Sequence, residues 1–259
     1  MTTTFQCDAA TVRVHDSVNE LATAAAREAA VAIARALDQR GRATVMLATG
    51  NSQLRFLAEL VQSIDLDWTS VTAFHMDEYV GLGLDHPASF RRYMRDRVAG
   101  LLPFRAFHYL DGLADPEIEA DRYAALLVDH PLDLCVLGIG ENGHLAFNDP
   151  PVADFDDARL VKVVALDDAC RRQQVGEGHF AEVNAVPTHA ITVTIPALLS
   201  ARTVLAIVPE RRKAEPVRVA LEGPIESACP ASILRTHAHV TLHLDRESAS
   251  RLSTDRGRG

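Results

Sequence analysis

The stretch LDLCVLGIGENGHLAF, Leu132 to Phe147, decides how the chain is read. Its first half is an apolar run of strand length, which predicts a strand buried on both faces, as inside a parallel sheet. Its second half sets Gly138, Gly140 and Gly143 directly behind that run and predicts a sharp turn presenting His144 at the sheet's carboxyl edge. GIGENG also has the GxGxxG spacing of a dinucleotide loop. No strand with an acidic end stands clearly about twenty residues on, so a dinucleotide is not expected.

Outward from this stretch the same alternation recurs. ATVMLA (Ala43 to Ala48) is a second short β-rich run, TGNS punctuates it, and Leu54, Leu57, Ala58 and Val61 resume helical spacing. Ahead of it, Ser17 and Glu20 stand at capping-box spacing, and Leu21, Ala25, Ala29, Ile33 and Leu37 recur every fourth residue until Gly41. That predicts one long helix closed by glycine. VTAFHM, ARTVLAIVP and HVTLHLD read as further strands, and Asp115-Pro116 as a cap followed by proline in a first helical turn. Strands alternating with helices predict a three-layer, doubly wound α/β domain of Rossmann-like type with a mostly parallel sheet. It covers residues 1–250 as a single domain, with a flexible tail over 251–259, and ligands are expected at the carboxyl ends of the strands.

Composition narrows the function classes. A hydrophobic fraction of 47% excludes wholesale disorder, and a formal net charge of −9 argues against a surface that must neutralise nucleic-acid phosphates. Cys7, Cys135, Cys170 and Cys229 lie far apart with no CxxC pair, the usage of reduced thiols. No run approaches the roughly 18 apolar residues of a membrane span, and the amino terminus lacks a signal-peptide pattern. A cytoplasmic protein with a small-molecule partner, and neither nucleic acid nor membrane, is expected.

Four stretches bear on chemistry. In ATGNSQ a strand-to-helix loop could hold an anion on backbone N–H groups, with Thr49 and Ser52 adding hydroxyls; the Walker lysine is absent, and a plain tight turn fits equally. In AFHMDEYVGLGLDHPASF, Asp77 and Glu78 stand side by side at a strand end and face opposite ways. One can enter the site as a base toward carbon while the other stays in solvent or pairs with a cation; a loop or capping carboxylate is the alternative. In PERRKAEPVRVALEGP, Arg211, Arg212 and Lys213 follow a strand, where a cation could meet an anionic substrate group or simply be solvated. In HAHVTLH, His237, His239 and His243 share a face with Thr241. At about 3.3 Å per residue the outer pair is too far apart for one zinc ion, so a solvated strand face is expected.

Together, FHMDEYVGL with HPASF behind it, GIGENGHLAFNDPP, and the LATGNS loop resemble the glucosamine-6-phosphate deaminase (isomerase) family, related in fold to the 6-phosphogluconolactonases. The resemblance runs from LATGNS to ASILRTH. Lactonase relatives share the glycine–histidine loop but generally lack an MDEYVGL-like stretch and the AFN-acid-P ending. The resemblance implies isomerisation and deamination of an amino-sugar 6-phosphate, glucosamine 6-phosphate to fructose 6-phosphate and ammonia, without metal or organic cofactor. By it, Asp77 is the base that moves a proton from carbon 2 to carbon 1. His144 assists opening of the sugar ring, supported by Asn142 and Asp149. Thr49, Gly50, Asn51 and Ser52 form the phosphate loop, and Lys213 reaches the phosphate. A lactone hydrolase using His144 to activate water, and a non-catalytic sugar-phosphate-binding domain, are the competing readings. A homo-oligomer is left open.

Three departures from the family pattern stand out. Asn142 replaces an aspartate and Asp149 a glutamate, which should lower the affinity of His144 for a proton. The family's phosphate-contacting arginine falls at Glu177, so Arg172, or Arg171 beside it, is expected to substitute. A serine that meets an activator's phosphate in some members falls at Val152, so allosteric activation is not expected.

Overall fold

A computed structural model describes residues 2–62, 65–176 and 178–253. In chain order the strands and helices are β1 (Thr3–Cys7), β2 (Ala10–His15), α1 (Val18–Arg40), β3 (Ala43–Leu47), α2 (Leu54–Leu60), β4 (Val71–His75), β5 (Asp77–Tyr79), α3 (Phe90–Met94) and β6 (Ala106–His108). There follow α4 (Pro116–Asp129), β7 (Leu134–Leu137), β8 (Val161–Ala165), α5 (Asp168–Gly176), β9 (His189–Val193), α6 (Ile195–Leu199), β10 (Thr203–Val208), α7 (Ala214–Glu222) and β11 (Val240–Asp245). Eight strands form the main sheet in the order β1-β2-β11-β10-β7-β3-β4-β6, parallel except for the β1–β2 hairpin.

The strand alternation sorts side chains into two cores, as a sheet covered on both faces requires. Val45, Leu47, Leu134, Val136, Leu205 and Ile207 join the face packed by α1 and α2, while Met46, Cys135, Leu137, Val204 and Ala206 join the opposite one. Helix α1 starts where the sequence places it: the Ser17 hydroxyl accepts from the Glu20 N–H, and Gly41 closes the helix with φ of 66°. Leu21, Ala25, Ala29 and Ile33 are its buried stripe. The Asp115 carboxylate likewise caps α4 by accepting from the Glu117 and Ile118 N–H groups.

The structure corrects several expectations. In α2 the buried face is Phe56, Leu57 and Leu60, with Ala58 outward, so the helix stands but is rotated from its sequence pattern. His243 is not on a solvated face. It is fully buried under α1, its Nε2 3.2 Å from Glu28 Oε2 and its Nδ1 3.1 Å from His15 Nε2, with the two imidazoles stacked. Thr241 is buried beside it and donates to Glu28 Oε1, whereas His237 and His239 precede the strand. Burial, with His243 alongside, pulls His15 down to about 4. The tail does not begin at 251: Leu252 packs on the core, Arg251 pairs with Glu215 at 2.7 Å, and the Ser253 N–H donates to Glu222. The rest of the expected tail, 254–259, lies outside the described residues.

A second, three-stranded antiparallel sheet, β5-β9-β8, is a feature that the sequence pattern missed. It sits over the carboxyl ends of the main sheet. Tyr79, Phe90, Phe147 and Phe180 pack between it and the neighbouring helices.

Candidate active site

Strand order reverses around β3: the chain proceeds from β3 to β4 on one side, then returns to place β7 on the other. Loops leaving adjacent strands at such a point diverge and leave a crevice at their carboxyl ends. That crevice is lined by Thr49, Gly50, Asn51 and Ser52 after β3, Asp77 after β4, and Gly138, Gly140 and His144 after β7.

The loop after β3 is held from both sides. Gly50 takes φ of +103°, which admits glycine without steric cost, and its carbonyl accepts from the Tyr93 hydroxyl at 2.9 Å. Below it the buried Gln53 amide donates to Ser52 Oγ at 3.1 Å and to the Ile207 carbonyl at 3.2 Å. Lys213, in a single 3-10 turn after β10, is only 4% exposed and lines the same cavity. Arg211 and Arg212, by contrast, turn to surface carboxylates, Glu247 at 3.7 Å and Glu210 at 2.7 Å.

Asp77 does not end β4; it opens β5, paired opposite Thr192 of β9. Its carboxylate is buried, and Oδ1 accepts no hydrogen bond among the described residues. Burial first, then the negative charges of Glu78 and Asp149, push the Asp77 carboxyl well above the usual aspartate range. Glu78 faces away from it, as the strand geometry requires, but it is neither solvated nor paired with a cation. Its oxygens accept from the N–H groups of Tyr79, Phe90 and Arg91 and from the Ser89 hydroxyl at 2.8–3.1 Å, tying β5 to the start of α3.

His144 Nδ1 lies 2.9 Å from Asp149 Oδ1. Asn142 binds this pair twice: its amide Nδ2 donates to Asp149 Oδ1 at 2.8 Å and its Oδ1 accepts from the His144 N–H at 3.1 Å. Burial works to raise the Asp149 carboxyl, but hydrogen bonds from His144, Asn142 and Cys170 hold it below the usual range. Cys170 shares this cluster, with ligand-type atoms of His144, Asp149 and Cys170 within 4.8 Å of one another. Burial and the Asp149 charge drive the Cys170 thiol pKa up, which favours the protonated thiol hydrogen-bonded to Asp149. The loop is fastened to β9 at its far end: the Phe147 N–H donates to Thr192 Oγ1 at 3.1 Å, and Asn148 Nδ2 donates to the Val193 carbonyl at 2.8 Å.

Arg172 is not brought into this cavity. It lies in an outer depression with Glu141, Asn142 and Arg212, while Arg171 donates to the Val183 and Val186 carbonyls and is committed to the fold. Helix α5 turns the Arg172 side outward and sends the next residues inward. Position Glu177 lies outside the described residues. Val152 packs against the aromatic cluster around Tyr79. Three cavity residues escape sequence reasoning: Gln173, Gln174 and His179. Gly178-His179 repeats the glycine–histidine pair of Gly143-His144, and that echo is the sole local signal for it.

A buried carboxylate with an unmet oxygen, a histidine–carboxylate pair and a strand-to-helix loop beside a buried lysine are parts with which an enzyme can move protons on a small substrate. The comparisons give the particular lineage. The chain belongs to the glucosamine-6-phosphate isomerases/6-phosphogluconolactonase family, whose model matches residues 16–243. It is 39% identical over 210 residues to a glucosamine-6-phosphate deaminase of Listeria innocua, covering 81% of this chain and 87% of that one. A deaminase of the same description from Streptococcus pneumoniae is 38% identical over 213 residues, 82% and 89% of the two chains. Among solved structures, a monomeric glucosamine-6-phosphate deaminase superposes with a TM-score of 0.83 at 34% identity, covering 92% of this chain and 98% of that one. A 6-phosphogluconolactonase of Shewanella baltica shares the fold, with a TM-score of 0.74 at 21% identity over 90% and 96% of the chains. No helix among the described residues is long and apolar enough to cross a membrane.

Proposed function

We propose that this chain isomerises and deaminates glucosamine 6-phosphate, giving fructose 6-phosphate and ammonia. The observation that carries the reading is the buried Asp77 carboxylate, one oxygen unmet, opening on the same cavity as His144 and the Thr49–Ser52 loop. On this reading the phosphate rests on the loop and on Lys213, which fixes the sugar so that binding energy is used for positioning. His144, oriented through Asp149, shuttles a proton as the ring opens. Asp77 takes the proton from carbon 2 and returns it to carbon 1; water then replaces the amine, which leaves as ammonia. Cytoplasmic carbohydrate metabolism is the setting this chemistry and four free, buried cysteines support.

The test is to incubate the protein with glucosamine 6-phosphate, galactosamine 6-phosphate and the unphosphorylated amino sugars, measuring ammonia and ketose. Ammonia from the first is expected. No ammonia from any of them, with hydrolysis of 6-phosphogluconolactone instead, would replace this reading with the lactonase one.

Asn142 gives a pH prediction. At present its amide stabilises the Asp149 anion; an aspartate there would withdraw a donor and set a like charge beside it at the same 2.8 Å. Both changes raise proton affinity of the His144–Asp149 pair. Asn142→Asp should therefore shift the pH–rate profile upward by about one unit. Profiles that superimpose for parent and variant would show that Asn142 does not tune the histidine.

A further inference from the structure

The same strands carry a second cavity at their amino ends, on the opposite edge of the sheet from Asp77 and His144. It measures about 250 Å³. Thr44 and Thr72 form part of its floor; they are register partners on β3 and β4, and both are buried. Around them stand the guanidinium groups of Arg40, Arg42, Arg105 and Arg202.

Two of these cations are already matched. Arg40 Nη2 lies 2.5 Å and Arg202 Nε 3.5 Å from Asp133 Oδ1, while Asp133 Oδ2 accepts from the Thr44 N–H at 2.9 Å. Arg42 and Arg105 have no acidic partner within ion-pair distance among the described residues. Asp129 is the remaining carboxylate on the rim, and His130 is turned back to the Leu126 carbonyl at 2.9 Å. Four guanidinium groups against two carboxylates leave this concavity positive in a chain whose formal net charge is −9. Like charges gathered around a hollow repel one another, and a multivalent anion relieves that repulsion while offering acceptors to the planar guanidinium donors.

We propose that this basal cavity is an anion site for a phosphate-bearing small molecule with two or more negative charges, held chiefly by Arg42 and Arg105 over the Thr44–Thr72 floor. It is separate from the catalytic crevice. The five residues of β3, spanning about 16 Å, lie between the two. An occupant here would brace the amino ends of β3 and β4, whose carboxyl ends carry the anion loop and lead into Asp77. The inference does not rest on the proposed reaction.

Inorganic pyrophosphate is a suitable probe, titrated calorimetrically at low ionic strength into the parent, into Arg42→Ala/Arg105→Ala and into Lys213→Met. The double variant removes two exposed side chains that hold no ion pair among the described residues, so an unchanged melting temperature is expected of it. Binding to the parent should weaken steeply with added salt and fall at least about tenfold in the double variant. The arginine-dependent binding should persist in Lys213→Met. No binding to the parent, or equal binding to parent and double variant, would overturn the proposal. So would binding lost in Lys213→Met and kept in the double variant, because the anion would then sit in the catalytic crevice. Turnover of glucosamine 6-phosphate, followed in the same parent and double-variant samples, reports separately on the reaction.

Discussion

Asp77→Asn should cost roughly 10²–10⁴-fold in turnover, the range for removing a general base, and yet melt at a higher temperature than the parent. The two effects have opposite signs because the same burial causes both. An ionised Asp77 is held without a hydrogen bond on Oδ1, beside Glu78 and Asp149, which raises its pKa in the folded state well above the unfolded value. The folded chain therefore binds a proton that the unfolded chain has released, and stability falls as pH rises from about 4 through the folded pKa. Asparagine has no such slope. The gain in melting temperature should be small near pH 4, widen as pH rises and level off above the folded pKa. In the parent, the acid limb of kcat/KM should lie well above the ordinary aspartate range for the same reason. Melting curves across pH and carbon-2 proton exchange check the two halves; a variant that melts lower at pH 8 would contradict the account of burial.

Gly140→Ala is expected to be the second most damaging change, with activity lost by about 10²-fold while the fold survives, the scale for displacing a reacting group by about 1 Å. A β-carbon at position 140 would overlap three atoms of the His144 ring. The backbone there cannot retreat easily, because the Gly140 N–H donates to the His144 carbonyl at 3.0 Å and its carbonyl accepts from the Gly143 N–H at 3.1 Å. The imidazole must swing instead, away from Asp149. Circular dichroism and the melting curve should stay near those of the parent, and the defect should appear in kcat. Full activity would mean that His144 can work from a displaced position.

These residues also mark how far the sequence could be read. Gly140 and His144 were legible because a buried strand followed by glycines is a local pattern, and so were Ser17, Gly41 and Asp115, whose caps depend on neighbours a few residues away. The core strands β3, β4, β7, β10 and β11 announced themselves by short apolar runs. The second sheet did not, because β5 is three residues long and pairs with β9 more than a hundred residues later. A strand defined by a distant partner leaves little local pattern. For that reason the local pattern puts Asp77 at the end of β4 and leaves the second carboxylate to solvent or a cation. The β1–β2 hairpin was hidden by a tight turn with Asp8 at φ of 51°, a conformation residue type alone does not declare. His243 escapes the pattern because a histidine on an alternating strand reads as polar, whereas half-buried Glu28 from α1 supplies a partner that spacing cannot show. Arg172 failed for a related reason: helix α5 has to be placed before its inward side is known, and that side carries Gln173 and Gln174.

Thr192 holds two parts of the site at once, pairing in register with Asp77 and accepting from the N–H of Phe147 at the end of the histidine loop. Asp77 and the histidine loop thus meet on a strand that the ribosome makes after both of them. A chain that ends before β9 also lacks β10 and β11, so only β7-β3-β4-β6 of the main sheet stay contiguous, and nothing ties Asp77 to the Phe147 end of the histidine loop.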